Sequence, residues 1–166
     1  MQELLPIADE LAALLKARRE TIAIAESSTG GLISAALLSV AGASAYFIGG
    51  GVLYTIKARR TVLDLPDAAF AEMRPSTEPY AMTMARRAQQ RFATTWTVAE
   101  TGATGPTGNR YGDAAGHTCI AIAGPIERTL TLETGSDDRV RNMYAFAAAA
   151  LKLLKECITA SPNANA

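Results

Sequence analysis

The sequence predicts an α/β fold in three layers, α/β/α, built around a mixed and mostly parallel sheet. Two observations support this prediction. Short apolar runs alternate with helical patterns through the first two-thirds of the chain, and two strand patterns near the end form a hairpin. Because the 166 residues contain no internal repeat or linker, we expect one domain over residues 1–158 and a frayed tail over 159–166.

The first βα unit lies near the N-terminus. Apolar residues recur at helical spacing over residues 3–18, which predicts an amphipathic helix. The run TIAIA at 21–25 is typical of a buried strand. A polar turn with two glycines, at 26–31, then separates this strand from a helix over 32–39. The order strand, short turn, helix is the repeating unit of a parallel sheet.

The second unit is less regular. Residues 47–54 have a strand pattern with three consecutive glycines, which indicates a bend or a close approach of another backbone. A helix is predicted over 56–63 and a short helical turn over 67–73. Thr77 is placed to begin a further helix over 78–92, with a proline in its first turn.

The last third supplies the remaining strands. Residues 95–100 predict a third strand, and the glycine-rich segment 101–116 predicts a loop. Residues 117–123 and 128–133 then predict a hairpin, which makes the sheet mixed. A long helix that ends near Cys157 completes the chain.

Composition excludes several classes of function. Lys plus Arg and Asp plus Glu each number 16, so the formal net charge is zero and offers no general attraction for nucleic acid or membrane. No apolar run reaches membrane-spanning length and the N-terminus does not resemble an export signal, so we expect a cytoplasmic protein. With two separated cysteines, Cys119 and Cys157, and His117 as the single histidine, we expect neither a disulfide nor a metal site. We interpret His117 as structural.

Three segments are placed to form a ligand site. In an open α/β sheet, ligands bind beyond the carboxyl ends of the strands, which here are residues 26–31, 55–59 and 101–108. The first and third are rich in glycine and hydroxyl side chains. Ser27 is a nucleophile if a base lies within reach, and the helix start offers free N–H groups to an anion. The alternative is that these hydroxyls and glycines only cap the helix and permit a tight turn.

Charged residues near these segments need partners. Glu100 ends an otherwise apolar strand, so it is either a general base or one half of a salt bridge, which we favour. The arginines considered as its partner are Arg59, Arg110 and Arg141. Arg139 and Arg141 begin the last helix, where the helix dipole disfavours cations, and this indicates a bound anion or an acidic neighbour.

Taken together, these segments resemble the CinA C-terminal domain family, in its stand-alone form, over residues 5–155. The family pattern A-E-S-x-T-G-G is matched by residues 25–31, which read AESSTGG. The pattern S/T-G-x-x-G-P is matched by residues 101–106, which read TGATGP. Residues 42–54 approximate the glycine-rich strand of the family, and its V-R pair matches Val140-Arg141.

The resemblance implies a nicotinamide mononucleotide amidohydrolase of NAD recycling, which hydrolyses the carboxamide to nicotinic acid mononucleotide and ammonia. It implies a small-molecule nucleotide as partner, a homo-oligomer, and no metal or cofactor, since backbone donors can stabilise the oxyanion. The nucleophile falls on Ser27. The residues implied to bind substrate are Glu26, Thr29, Gly30, Gly31, Tyr54, Thr101, Gly102, Gly105, Pro106 and Arg141.

One position departs from the family. Where the family has its catalytic lysine, this chain has Arg59, and a guanidinium is effectively never deprotonated. Lys57 is two positions away, roughly 200° around a helix, so we expect it to face elsewhere unless the helix begins later. A pair between Glu100 and Arg59 at the mouth of one pocket is a coherent substitute.

Three functions therefore remain open. The first is a C–N hydrolase acting on a linear amide, with Glu100, Tyr54 or a displaced Lys57 as base. The second is a nucleotide- or anion-binding domain without hydrolysis, in which Arg59 holds an anion. The third, a purely structural role, leaves the two motifs without a purpose. The first two require Ser27 and Arg59 to border the same crevice as residues 101–106.

Overall fold

Five strands form one mixed sheet in the order β2-β1-β3-β4-β5. The structure, a computed structural model, describes residues 1–66, 68 and 73–163. β1 pairs in parallel with β2 and β3, and β4 is antiparallel to β3 and β5, so β4 alone runs against the other four. This confirms the predicted mixed, mostly parallel sheet. The strands are β1 (Ile22–Glu26), β2 (Phe47–Val52), β3 (Trp96–Ala103), β4 (His117–Ala123) and β5 (Arg128–Glu133).

Helices cover both faces of the sheet, which confirms the three layers. The helices are α1 (Leu5–Arg18), α2 (Leu32–Leu38), α3 (Ile56–Leu63), α4 (Glu78–Phe92) and α5 (Arg139–Ala160). α1, α2 and α5 pack together on one face, and α3 and α4 pack together on the other. Among the helices within the described residues, none is long and apolar enough to cross a membrane.

Alternation along the central strands separates the two cores. Large side chains such as Ile24 and Val98 face α1, α2 and α5, whereas alanines such as Ala25 and Ala99 face α4. Gly50, in the edge strand, has no room for a side chain, because a Cβ there would lie 2.3 Å from the carbonyl oxygen of Ile24. Of the two alternatives predicted for the three glycines, a bend or a close approach of another backbone, the close approach is found at Gly50.

Two element ends lie three residues from their predicted positions, and parts of two predicted segments lie outside the described residues. The expected loop at 101–103 is strand, because these residues continue β3 by pairing with the first residues of β4, as Ala103 does with His117. α5 runs to Ala160, past the predicted end near Cys157. Of the predicted helical turn at 67–73, residues 67 and 69–72 lie outside the described residues, as do residues 164–166 of the predicted tail.

Candidate functional site

Glu26 lies beneath the β1–α2 turn and caps α2. Its carboxylate is fully buried on the same side of β1 as Ile24. It accepts hydrogen bonds from the backbone N–H groups of Gly31 (3.0 Å), Ile33 (3.2 Å) and Ser34 (3.1 Å). The helix start that the sequence offers to a ligand anion is therefore filled by this side chain, and Glu26 does not reach the open crevice. The hydroxyls of Ser34 (2.6 Å) and Thr29 (2.7 Å) complete the contacts.

Glu100 supports the same turn from β3. Its buried carboxylate accepts hydrogen bonds from the backbone N–H groups of Ser27 (3.1 Å) and Thr29 (3.0 Å). The hydroxyls of Ser28, Thr29 and Thr118 also donate to it. The expected salt bridge is corrected by the structure, because none of the ion pairs among the described residues includes Glu100. Neutral donors of the turn take up the carboxylate instead of Arg59, Arg110 or Arg141.

Ser27 and Arg59 meet at the carboxyl end of the sheet. The Ser27 hydroxyl accepts a hydrogen bond from Nη2 of Arg59 at 3.3 Å. Arg59 is 7% exposed, and it also donates from Nε to the Leu53 carbonyl (2.9 Å) and from Nη1 to the Tyr80 hydroxyl (2.6 Å). Arg59 has no carboxylate partner within the part of the chain that the structure describes. A buried cation without a counter-charge therefore borders the candidate nucleophile.

These two residues line a cavity of about 490 Å³, here called the Ser27 cleft. Lys57 also lines it, although the sequence predicts that this side chain faces elsewhere. With Arg110, three cations border the cleft, and no acidic residue does among the described residues that line it. The cleft thus has a positive lining in a chain of zero formal net charge. Three of the residues implied to bind substrate line the cleft, namely Tyr54, Thr101 and Gly102.

A second cavity, of about 250 Å³, adjoins the cleft and is here called the Arg139 pocket. It shares Tyr54, Gly102 and Asn109 with the Ser27 cleft. Arg139 donates to the Gly105 carbonyl at 2.6 Å and to the Tyr54 hydroxyl at 3.4 Å. Gly105 fits there because its φ is +110° and a Cβ would lie 2.6 Å from the Asp137 carbonyl oxygen. Gly105 thus lines a pocket as implied, whereas Pro106 is exposed beside it.

Arg141 lies elsewhere. Its side chain borders a separate groove with Met1 and Tyr144, and its backbone N–H donates to the Asp138 side chain that caps α5 (3.0 Å). Arg139 and Arg141 are two residues apart, roughly 200° around a helix, so only one of them can face the cleft. The structure therefore corrects the placement of Arg141: Arg139 is the arginine of the α5 start that borders the site.

Thr29, Gly30 and Gly31 build the turn more than they border the cleft. Thr29 is fully buried between the two glutamates, and its hydroxyl contacts both carboxylates. The Gly30 N–H donates to the Ser27 carbonyl at 3.2 Å. Neither glycine lines the Ser27 cleft or the Arg139 pocket within the described residues. These residues therefore hold Ser27 in position.

Two asparagines that sequence reasoning missed hold the loops around the site. Asn142 is fully buried and donates to the Thr104 and Ser136 carbonyls, both at 2.8 Å. Asn109 lines both cavities, and its side-chain oxygen accepts the N–H groups of Tyr111 (2.9 Å) and Asp113 (3.1 Å). An amide on the apolar stripe of α5 and an Asn in a glycine-rich loop were the available signals.

His117 supports the wall of the cleft without contacting Ser27. Its Nε2 lies 2.9 Å from the carbonyl of Ser76, a cleft-lining residue, and its Nδ1 contacts Glu133. Burial alone would lower the pKa of His117, but the hydrogen bonds to Glu133 and Ser76 and the negative charges of Asp113 and Glu133 together raise it. The contacts support the structural interpretation of this histidine.

The cysteines and the acids offer no metal centre within the described ranges. Both cysteines are buried free thiols, and burial raises the pKa of each. A raised pKa keeps a thiol protonated and unreactive. No group of three or more His, Cys, Asp or Glu residues in the described part of the chain is arranged to hold a metal ion.

Comparison with known proteins identifies a family. The model of the CinA C-terminal domain matches residues 4–158. A "CinA-like protein" of Salinibacter ruber is 39% identical over 83% of this chain and 34% of its own length. A "CinA-like protein" of Anaeromyxobacter dehalogenans is 38% identical over 89% of this chain and 36% of its own length. The chain thus spans about a third of the length of these curated relatives.

Solved structures share the fold. The competence/damage inducible protein CihA from Agrobacterium tumefaciens is 27% identical, with a TM-score of 0.84 over 94% of this chain and 95% of that one. The competence damage-inducible protein A (ComA) from Klebsiella pneumoniae is 25% identical, with a TM-score of 0.88 over 95% of this chain and 98% of that one. Both likenesses extend over nearly the whole of each chain.

Proposed function

The chain belongs to the CinA C-terminal domain family, and on this basis we propose that it is an amidohydrolase acting on nicotinamide mononucleotide or a closely related amide. One observation carries the proposal: the Ser27 hydroxyl borders a cationic cleft, 3.3 Å from the side chain at the family's lysine position. The oxygen of Ser27 attacks the carboxamide carbon, and ammonia leaves with the transferred proton. Water then hydrolyses the acyl ester, which releases the carboxylate and restores the hydroxyl.

The lining of the two cavities favours an anionic substrate. Lys57, Arg59 and Arg110 border the Ser27 cleft, and Arg139 borders the pocket beside it. No acidic residue lines either cavity among the described residues. A nucleotide phosphate in the Arg139 pocket would leave the reacting end of the molecule against Ser27. Charged hydrogen bonds from arginine to phosphate are among the strongest that proteins make.

The proton acceptor must be a residue other than Arg59. A guanidinium stabilises a serine alkoxide but does not take its proton. Glu100 contacts the backbone N–H of Ser27, and its carboxylate already holds the turn. We assign the proton to Lys57, because it is the amine among the described residues that line the cleft. Tyr54 is the alternative acceptor, since it lines the same cleft.

A second candidate function is nucleotide binding without hydrolysis. Arg59 favours it, because the group that contacts the Ser27 hydroxyl only donates hydrogen bonds. In this case the guanidinium holds an anionic group of the ligand and Ser27 contributes a hydroxyl. The fold and the cavities serve both functions equally well, so turnover distinguishes them.

The test measures ammonia release from nicotinamide mononucleotide. We expect slow release by the unmodified chain, none by Ser27→Ala, and faster release by Arg59→Lys, which restores a titratable amine. A matched base typically contributes about 10²–10⁴-fold, so the assay must detect slow turnover. Lys57→Met should abolish the basal activity if Lys57 is the acceptor.

The controls separate the two candidates. Thermal stabilisation by the nucleotide without ammonia release, in both the unmodified chain and Arg59→Lys, would favour binding alone. Ammonia release that persists in Ser27→Ala would remove Ser27 as nucleophile. Absence of both stabilisation and release would overturn both functions.

A further inference from the structure

We infer that the Ser27 cleft prefers a nucleotide whose aromatic ring carries a carboxylate over the one that carries a carboxamide. The inference rests on the proposed function for the position of the reacting group. It goes beyond that function, because it makes the reaction product the tighter ligand. The residue that sets this preference is Arg59.

The geometry places a product carboxylate against Arg59. A carbonyl under attack comes within about 3–3.5 Å of the nucleophile. Nη2 of Arg59 lies 3.3 Å from that same oxygen of Ser27. The reacting carbon and Nη2 are thus both neighbours of the Ser27 oxygen, and on this basis we place the new carboxylate against the guanidinium. A carboxylate and a guanidinium form the charge-assisted pair that proteins use most for planar recognition.

The guanidinium has donors left for such a ligand. A guanidinium carries five N–H groups. Three are directed to the Leu53 carbonyl, the Tyr80 hydroxyl and the Ser27 hydroxyl. Two remain without a protein acceptor in the described structure, and a carboxylate offers only acceptors to them. A carboxamide presents an NH₂ group to the same donors at one of its two polar positions, so it pairs less well.

Electrostatics strengthens the difference. Arg59 is 93% buried, as its 7% exposure shows, and it has no carboxylate partner among the described residues. A buried charge is costly unless it is paired. Glu100, the nearest candidate from the sequence, is engaged by the β1–α2 turn. An anionic ligand group supplies the missing counter-charge, whereas a neutral amide does not.

The cavity next to Arg59 fits a flat ring. A slot of about 340 Å³ adjoins the Ser27 cleft, and the two share Ile56, Arg59, Pro75 and Tyr111. Tyr80, Met73 and Arg60 also line the slot. Apolar and aromatic walls suit an aromatic ring. At the other end, the Arg139 pocket is available to the phosphate, which both nucleotides carry. The difference in affinity between the carboxylate and the carboxamide nucleotide therefore reports on the ring substituent that faces Arg59.

The experiment compares binding of nicotinic acid mononucleotide and nicotinamide mononucleotide by calorimetry. Ser27→Ala is the background, because it prevents turnover during the titration. We expect the carboxylate nucleotide to bind at least tenfold more tightly. Adding Arg59→Gln should reduce the ratio to below threefold, and Arg59→Lys should leave it in between. Arg141→Gln, an exposed arginine outside the cleft, is the matched control and should leave the ratio unchanged.

Each outcome decides the inference separately from the hydrolysis. Equal affinities in the Ser27→Ala background, or tighter binding of the carboxamide, overturn the inference and leave the hydrolysis intact. A preference that survives Arg59→Gln also overturns it. Tight binding of the carboxylate nucleotide, with no ammonia release by the unmodified chain, supports the inference and removes the hydrolysis. Absence of binding by both nucleotides overturns both. If Arg59→Gln does not fold, as judged by thermal melting, Arg59→Lys decides by whether the ratio falls.

Discussion

The acids beneath the β1–α2 turn and the arginines around the cleft are charged groups of the same site with opposite surroundings. Nine N–H and hydroxyl groups of the protein surround Glu26 and Glu100, and one of them, the Thr29 hydroxyl, contacts both carboxylates. Arg59 and Arg139 donate to carbonyls and hydroxyls, and neither has an acidic partner in the described parts of the chain. The acids are saturated from within, whereas the cations still lack a counter-charge.

This difference separates structure from binding. A buried charge whose hydrogen bonds are all made by the protein fixes the backbone that supplies them. A charge left without an opposite charge at a cavity is where the charge of a ligand is expected. Removing an acid should therefore cost stability, and removing an arginine should cost ligand affinity. Substitutions of single acids and single arginines test this division.

Replacing Glu26 should cost the most stability. Glu26→Ala leaves three backbone N–H groups at the start of α2 and the Ser34 hydroxyl without their acceptor, while the Thr29 hydroxyl keeps Glu100. Each buried donor left unsatisfied costs about 1–3 kcal/mol, so together they should cost about 3–5 kcal/mol. We expect the free energy of unfolding, measured in urea, to fall by this amount. Glu156→Ala is the control, because its carboxylate is exposed and pairs with Arg128 at the surface, so it should cost less than about 1 kcal/mol.

Replacing Glu100 should cost somewhat less. Glu100→Gln keeps the shape and one acceptor, but its NH₂ group meets donors of the turn, such as the N–H groups of Ser27 and Thr29. An unsatisfied buried group costs about 1–3 kcal/mol. We expect a loss of about 2–3 kcal/mol in urea unfolding. A variant as stable as the unmodified chain would show that Glu100 is not a support of the turn.

The two arginines at the start of α5 should differ in their effect on affinity. Arg139→Gln removes a cation from the pocket beside the cleft, so binding of nicotinic acid mononucleotide should weaken about tenfold, which corresponds to about 1.4 kcal/mol. Arg141→Gln should change the affinity less than twofold, because Arg141 borders a different groove. Calorimetry on both variants measures this. A larger loss with Arg141→Gln would restore the sequence prediction.

The effect of Arg59 on the free energy of unfolding also tests the difference between the acids and the arginines. Arg59→Met removes hydrogen bonds to Leu53 and Tyr80 but also removes a buried cation without a counter-charge. Because these effects oppose each other, we expect the free energy of unfolding to change by less than about 1 kcal/mol. Binding of nicotinic acid mononucleotide should weaken, because the cation that faces its carboxylate is gone. A drop as large as that of Glu26→Ala would mean that Arg59 is structural, like the acids.

Much of this arrangement is predictable from the sequence, because it follows from periodicity and strand order. The elements from residue 21 to 63 lie within a residue or two of their predicted ends. The meeting of Ser27 and Arg59 follows from two turns at the carboxyl ends of adjacent parallel strands. The element ends follow from local sequence patterns, and the meeting of the two turns follows from strand order. Both can be read from the sequence alone.

The sequence does not reveal which groups pair with each charged side chain. The sequence predicts a pair between Glu100 and an arginine, but N–H and hydroxyl groups of the turn, with the Thr118 hydroxyl of β4, donate to its carboxylate instead. The extension of β3 through residues 101–103 depends on pairing with β4, which local glycine content does not indicate. The choice between Arg139 and Arg141 depends on the rotation of α5 against the sheet. Each of these is a tertiary property.

The smallest effect should come from His117, whose charge depends on pH. Both ring nitrogens face acceptors: Nε2 faces the Ser76 carbonyl, and Nδ1 faces the Glu133 carboxylate. A carboxylate oxygen of Asp113 lies 3.9 Å from Nε2. The protonated ring therefore has a donor for each acceptor and an acidic neighbour for its charge. Arg74, which pairs with Asp113, and the thiol of Cys119 are the other ionisable groups nearby. The protein itself therefore satisfies the protonated ring of His117, as it does the carboxylates of Glu26 and Glu100. Deprotonated, it leaves one acceptor without its donor.

The sign of the pH effect follows from the raised pKa. A group with a higher pKa in the folded state stabilises the fold fully below its unfolded pKa, near 6.5, and loses this contribution as pH rises through the folded value. The free energy of unfolding of the unmodified chain, relative to His117→Gln, should therefore fall as pH rises above 6.5. The fall should be modest, because Glu133 is 58% exposed and solvent screens the pair. Stability that rises relative to His117→Gln over the same range would mean that the folded chain holds a neutral ring, and that His117 is not one of the saturated charges.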